Sequence, residues 1–262
     1  MAQFDSKHAA TKPDQASQGA GSSSSSSMPG FSKRRKFLQM AVGGAITGLV
    51  TAGMEVLTPR SALAQTTISP EMALERLVSG NKRYVAGKLT SFEHDLAILR
   101  HHTSEKQQPF AAVLACSDSR VPVELVFDQS IGHIFVARDA GNVASSEIIA
   151  SLEYGAAVLG VKVILVMGHS SCGAVDATIA GKEVPGQISA LYPHIQPAVD
   201  LAGPDPESVT KANAKIQASL LRQASTAISG MVKDGSLLVL PAFYNISSGV
   251  VSLLDCNETD HR

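Results

Sequence analysis

The sequence predicts an α/β domain built round a mostly parallel β-sheet flanked by helices. Three observations predict it. Phe110-Ala-Ala-Val-Leu-Ala115 and Val161-Lys-Val-Ile-Leu-Val-Met167 are apolar runs of strand length with almost no polar alternation, the pattern of parallel strands buried on both faces. Segments with helical spacing lie between the candidate strands, and such alternation is the mark of a βαβ architecture. No internal repeat of solenoid length competes with that reading.

The elements follow in chain order. Residues 1–31 are polar and rich in Ser, Gly and Gln, including the run Ser22 to Ser27, so they bury too little apolar surface to offset the entropy of ordering and are expected to be disordered. Residues 32–64 read basic, then apolar, then small. Lys33-Arg34-Arg35-Lys36 precedes Phe37-Leu38, an apolar stretch runs from Met40 to about Leu57, and Ala62-Leu63-Ala64 closes it. This is the layout of an export signal with an A-x-A cleavage site, and the paired arginines before Phe-Leu resemble a twin-arginine signal read by the corresponding export machinery. The competing reading is an uncleaved anchor, although Glu55 and the glycines leave the stretch short of the about 20 apolar residues that a comfortable span needs. The expected location is therefore the periplasm or the extracellular face, with membrane association only if the signal is retained.

From Ser69 the pattern turns helical. Ser69 suits an N-cap, Pro70 the first helical position and Glu71 the first turn, while Leu74, Leu77, Val78 and Tyr84 form one stripe, which predicts a helix over about Ser69 to Gly87. Two shorter strands are expected at Ile134 to Ala137 and Leu237 to Leu240. Helices are expected from Ser145 to Leu159, on Ile148, Leu152 and Ala156, and from Lys211 to Val232, on Ile216, Leu220, Leu221 and Ile228. Residues 65–262 thus form one catalytic-sized domain.

The formal charge is −1, with no clustered excess of Lys and Arg in that domain. This excludes an electrostatic footprint for nucleic acid and points to a small substrate. The three cysteines, Cys116, Cys172 and Cys256, are too few for a disulfide-stapled scaffold. Metal binding or catalysis explains them better, and a single disulfide between two of them is the reading to beat.

Each long apolar strand ends in metal-ligand residue types, Cys116-Ser-Asp118-Ser-Arg120 after the first and His169-Ser-Ser-Cys172 after the second. Sites in open α/β sheets form beyond the carboxyl ends of parallel strands, so the two clusters are expected to converge. Two thiolates and an imidazole suit tetrahedral zinc, and three protein ligands rather than four are the mark of a catalytic site with an open position. Taken singly, each residue also has an ordinary role: buried cysteine, hydrogen-bonded histidine, surface ion pair. Their joint placement at two strand ends favours the metal.

Cys116-x-Asp118-x-Arg120 followed by His169-x-x-Cys172 resembles the signature of the β-carbonic anhydrases. The resemblance extends through Arg138-Asp-Ala-Gly141-Asn142, Pro185-Gly186-x-Ile188, the helix around Asn213 and the turn from Tyr244 to Gly249, and so covers about residues 69–255. It implies Zn²⁺ on Cys116, His169 and Cys172. It also implies a dyad in which Arg120 holds Asp118 as hydrogen-bond partner of the nucleophile, with Asp118 a fourth ligand in a closed state. The reaction implied is reversible hydration of CO2 to bicarbonate and a proton, by attack of zinc-bound hydroxide. Gln107, Phe135, Tyr154 and Gly173 are implied as substrate-binding residues. A homodimer or higher even homo-oligomer is implied too, with the N-terminal helix packed on a partner subunit.

Three positions depart from the family pattern. His133 stands where Asp is usual, and Asp139 where Asn is usual. Val113 stands where some bacterial members carry a Trp of an inhibitory bicarbonate pocket; the chain has no Trp, so that pocket is expected to be absent. Two rivals share the same zinc site: hydrolysis of CS2 or COS, and bicarbonate binding without turnover. The Asp118–Arg120 pair argues against the second.

Overall fold

The computed structural model describes residues 66–91, 106–182 and 184–255. The polar extension, the export signal and Cys256 lie outside the described residues. The core is a five-stranded sheet in the order β2-β1-β3-β4-β5. Its strands are β1 (Ala111–Cys116), β2 (Ile134–Asp139), β3 (Val163–His169), β4 (Leu238–Tyr244) and β5 (Val251–Leu253). The first four pair in parallel and β5 pairs antiparallel to β4, as the apolar runs predict for all but the short last strand. Every residue of β1 and β3 is buried, because helices cover both faces.

The chain passes from β1 to β2 on one side and then returns across β1 to β3 on the other. β1 and β3 are therefore neighbours whose following segments depart in opposite directions. That is the topological switch point at which an α/β sheet opens a crevice at its carboxyl end.

On one face, α1 (Pro70–Val85) and the short α2 (Val123–Val126) pack on the sheet. The cap on α1 is as its sequence predicts: Ser69 accepts from the Met72 N–H, with Pro70 and Glu71 in the first turn and Lys82 and Arg83 in the last, which matches the helix dipole. Ala73 and Leu77 are wholly buried within the single chain, and burying the Leu77 side chain contributes about 2 kcal/mol. Gly80 permits the approach, since a Cβ there would stand 1.8 Å from the Phe127 carbonyl oxygen. Asn81 completes the seam, donating to the carbonyls of Val126 and Gly249 and accepting from the Val251 N–H. So α1 is seated on its own sheet, with Met72 exposed on its outer side.

The turn after α2 is clasped to the end of α1. The Asp128 carboxylate accepts from Arg83 Nε at 2.5 Å and from the N–H groups of Thr90 and Ser91 at 3.0 Å. Burial alone would push this carboxyl up, but those donors hold it down at about 2, and they support its left-handed backbone, φ 44°.

The opposite face carries α3 (Ser146–Glu153) with its π-helical extension Tyr154–Val158, α6 (Pro206–Ala224) and α7 (Thr226–Lys233). Periodicity alone predicts one helix over 211–232. Two helices are found, because Ser225 is extended and caps α7. Its hydroxyl accepts from the Ile228 N–H and donates to Glu153. Two helices carry no sequence expectation above, α4 (Gly173–Ala180) and α5 (Tyr192–Ala202). With α6 they enclose a third apolar cluster at the carboxyl end of the sheet, which includes Cys116, Val143, Cys172 and Ile195.

Candidate metal centre

Two of the three ligand-type residues are strand ends and the third opens a helix. Cys116 is the last residue of β1 and His169 the last of β3, while Cys172 is the N-cap of α4. The turn between His169 and Cys172 is tight enough to put Ser171 in the left-handed region, φ 55°. The ligand atoms of Cys116, His169 and Cys172 all lie within 4.8 Å of one another, and all three residues are buried.

The geometry fits zinc. Cys116 and Cys172 are free thiols with their sulfurs 3.9 Å apart, whereas a disulfide would bring them to about 2.0 Å. The edge of a tetrahedron with Zn–S bonds of about 2.3 Å is about 3.8 Å. His169 Nδ1 lies 3.0 Å from the Ser170 carbonyl, which can only accept, so Nδ1 carries the proton and Nε2 presents its lone pair. That Nε2 is fully buried and has no hydrogen-bond partner among the described residues, an unsatisfied acceptor that a metal bond would relieve. The two sulfurs are in hydrogen-bond contact. That contact lowers the Cys116 pKa and raises that of Cys172. Two thiolates side by side require a cation to offset their repulsion.

Asp118 and Arg120 flank this set. Arg120 Nε donates to Asp118 Oδ1 at 3.0 Å, Arg120 Nη2 donates to Oδ2 at 2.7 Å, and the Arg120 N–H donates to Oδ1 at 2.9 Å. This two-point fork holds the carboxyl well below the usual carboxylate range. Asp118 Oδ2 stands 4.0 Å from His169 Nε2, beside the ligand set. Arg120 also donates to the Ser171 carbonyl at 3.0 Å, tying the loop after β1 to the loop after β3.

A second arginine supports the same loop. Arg138, on β2, donates from Nε to the Cys116 carbonyl at 2.9 Å and from Nη2 to the Asp118 carbonyl at 2.6 Å. Asp139 is half-buried; its Oδ1 accepts from the Val143 N–H at 2.7 Å, and burial raises its pKa to about 6. The role of Arg138 had no spacing signal, because the carbonyls it holds are set by strand register and not by residue type.

The residues implied in substrate binding fall into two groups. Gly173 opens α4 directly after Cys172, with nothing within 4 Å of where a Cβ would point, so it leaves open space beside the ligands. Phe135 and Tyr154 meet each other, with ring centroids 6.4 Å apart, but not the ligands of their own chain. Phe135 pairs with Ala112 in the register that pairs Asp139 with Cys116, which places it about 13 Å down the strand from the metal end. Gln107 precedes β1 and is exposed, towards that same far end. Tyr154 is 47% exposed, although it is aromatic and follows an apolar helix.

Known proteins with this pattern converge on one answer. A family model described as carbonic anhydrase matches residues 111–251. Carbonic anhydrase 2 of Mycobacterium tuberculosis is 34% identical over 197 residues, covering 71% of this chain and 94% of that protein. Carbonic anhydrase of Mycolicibacterium smegmatis is 33% identical over 195 residues, with 71% and 93% covered. Among solved structures, the β-carbonic anhydrase CcaA superposes with a TM-score of 0.57 at 26% identity, over 70% of this chain and 88% of that one. A tetrameric β-carbonic anhydrase of Sordaria macrospora superposes with a TM-score of 0.54 at 22% identity, over 71% and 98%, and speaks to the fold. With the parallel sheet, the ligand set at its switch point and these relatives in agreement, the chain belongs to the β-carbonic anhydrase family and catalyses the zinc-dependent, reversible hydration of CO2 to bicarbonate and a proton.

Proposed function

We propose that Cys116, His169 and Cys172 hold the zinc, that Asp118 and Arg120 form the catalytic dyad, and that the apolar wall of the pocket comes from a second copy of the chain. The observation that carries the ligand assignment is the buried lone pair of His169 Nε2 beside two sulfurs at tetrahedral spacing. Zinc held there supplies a Lewis acid that brings the pKa of a water in the open fourth position towards about 7. Asp118, kept ionised by Arg120, accepts the nucleophile's hydrogen in a hydrogen bond and leaves a lone pair directed at the CO2 carbon. Arg120 keeps that carboxylate off the metal. The space in front of Gly173 admits a linear, uncharged substrate.

The placement of Phe135 and Tyr154 supports a wall supplied in trans. They sit on β2, an edge strand, and on the helix beside it, at the end of the sheet away from their own ligands. Pairing two such edges would bring each wall to the other copy's metal, and the Sordaria macrospora relative is tetrameric. Mixing tests this. Cys172→Ser chains and Phe135→Ala/Tyr154→Ala chains are each expected to be nearly inactive. Refolded or coexpressed together they should recover about a quarter of the parental rate, since half of randomly formed pairs are mixed and each mixed pair has one intact site. No recovery on mixing would place the wall in the same chain as the ligands and contradict this reading.

We further propose that residues 32–64 direct export of the folded, zinc-loaded chain through the twin-arginine route, to the periplasm or extracellular face. Arg34-Arg35 before Phe37-Leu38 and the Ala62-Leu63-Ala64 site support it. Loading zinc before export also protects Cys116 and Cys172 from pairing in an oxidising compartment. Arg34→Lys/Arg35→Lys is expected to keep the protein in the cytoplasm, measured by fractionation. Undiminished export of the double variant would refute the route.

A further inference from the structure

We propose that Asn213 is a positioning residue for the metal site: braced by Gln217, it fixes the Gly141 turn so that the Gly141 N–H points at the Cys116 sulfur. The proposal rests on Cys116 being a zinc ligand, and it concerns how that ligand is aimed.

Asn213 and Gln217 lie one turn apart on α6 and are almost completely buried, at 0% and 1% exposure. Burying two uncharged amides costs stability unless their bonds are made and used. Asn213 Nδ2 donates to the Gly141 carbonyl at 2.8 Å. Gln217 Nε2 donates to Asn213 Oδ1 at 3.1 Å and to the His194 carbonyl at 3.0 Å, while its Oε1 accepts from the Ala144 N–H at 2.9 Å. The two amides thus grip the turn between β2 and α3 at two places, Gly141 and Ala144. On the other side of that turn the Gly141 N–H donates to Cys116 Sγ at 3.3 Å.

The turn has no slack. Gly141 has φ +86°, and a Cβ there would stand 2.7 Å from Ile195 Cδ1 and 3.3 Å from Ala174 Cβ, so the backbone is pressed against the cluster that encloses the ligands. Stitching α6 to α5 would need only the Gln217–His194 bond. Asn213, in contrast, sends its amide donor to the peptide next to the one that faces the sulfur. A donor held on a ligand sulfur favours the thiolate and fixes the side chain's direction, and losing such a supporting partner typically costs 10–100-fold in metal affinity.

The test uses the full-length chain and two readouts besides hydration: zinc affinity by chelator competition, and the thiolate-to-metal charge-transfer band of the cobalt(II)-substituted protein. Asn213→Leu preserves size and removes the donor. It is expected to weaken zinc binding about 10–100-fold and to shift the cobalt band, with Gln217→Met giving a smaller change of the same sign. If Asn213→Leu unfolds at a lower temperature yet keeps the parental zinc affinity and cobalt band, Asn213 is only structural and the proposal is overturned. Should Asn213→Leu not fold, Gln217→Met decides by the same two readouts. A parent protein without any thiolate-to-cobalt band would instead overturn the ligand assignment, and this proposal with it.

Discussion

Cys172→Ser is expected to abolish zinc binding and CO2 hydration together. The serine hydroxyl is a far poorer ligand than a thiolate at neutral pH, and Cys116 and His169 alone cannot fix a tetrahedral ion. Because Cys172 stands at the N-cap position of α4 without a side-chain capping bond, and serine suits that position, the loss falls on the metal and not on the fold. The two sulfurs lie 3.9 Å apart, so both are placed to share one ion. Metal analysis after dialysis should find the variant essentially zinc-free, with hydration at the buffer rate. Cys256→Ser is expected to change neither quantity. Stoichiometric loss of zinc in the Cys256 variant would overturn the ligand assignment.

Arg120→Ala is expected to keep its zinc and to lose about 100-fold or more in hydration, the scale of a removed hydrogen-bonding or acid–base partner. Arg120 occupies both oxygens of Asp118 with hydrogen bonds of 2.7–3.0 Å, and Asp118 Oδ2 is only 4.0 Å from His169 Nε2. Freed of the guanidinium, the carboxylate can swing onto the metal and occupy the position the substrate needs. The sign of the pH effect follows from competition. Asp118 is depressed below the normal carboxylate range by Arg120, so in the parent it stays ionised and held through the whole neutral range. In the variant it is still ionised at neutral pH but free to bind, and it is displaced only where hydroxide is abundant. The residual rate should therefore rise with pH and reach its half-maximum at higher pH than the parent's. X-ray absorption should report an added oxygen ligand from carboxylate in the variant at neutral pH. A parental rate and pH profile would show that the pair does not control access to the metal.

The residues that carry the chemistry were readable because chemistry constrains residue type. Thiolates and an imidazole at two apolar strand ends leave few other readings, and strand β1 and strand β3 were legible because parallel strands must be apolar on both sides. The helices α4 and α5 were not, for different reasons. α4 begins directly at a ligand and has only eight residues, too few for a period to emerge. α5 contains Pro197 inside it and another proline in its first turn, which on sequence rules signals a break. Ser225 was lost inside an unbroken apolar period, although it caps α7 by accepting from the Ile228 N–H and is held there by donating to Glu153 on a distant element.

The supporting shell was the least legible part. Arg138, Asn213 and Gln217 act on backbone carbonyls and N–H groups of Cys116, Asp118, Gly141 and Ala144, and backbone groups leave no trace in side-chain spacing. The proposed substrate wall is a similar case. Phe135 and Tyr154, implied by the resemblance to bind substrate, meet each other, and the sheet register sets Phe135 at the far end of the strand from Cys116. Asp128 carries no expectation from the sequence, and its role is to anchor Arg83 and the chain at 90–91.

The central claim is that this zinc site turns over CO2, and stopped-flow CO2 hydration by the purified chain, with zinc determined in the same sample, tests it most directly. The predicted result is one zinc per chain and hydration far above the buffer rate, with a rate that increases with pH through the neutral range. One zinc per chain with hydration at the buffer rate across that range would contradict it, and would make the protein a zinc-bearing bicarbonate binder.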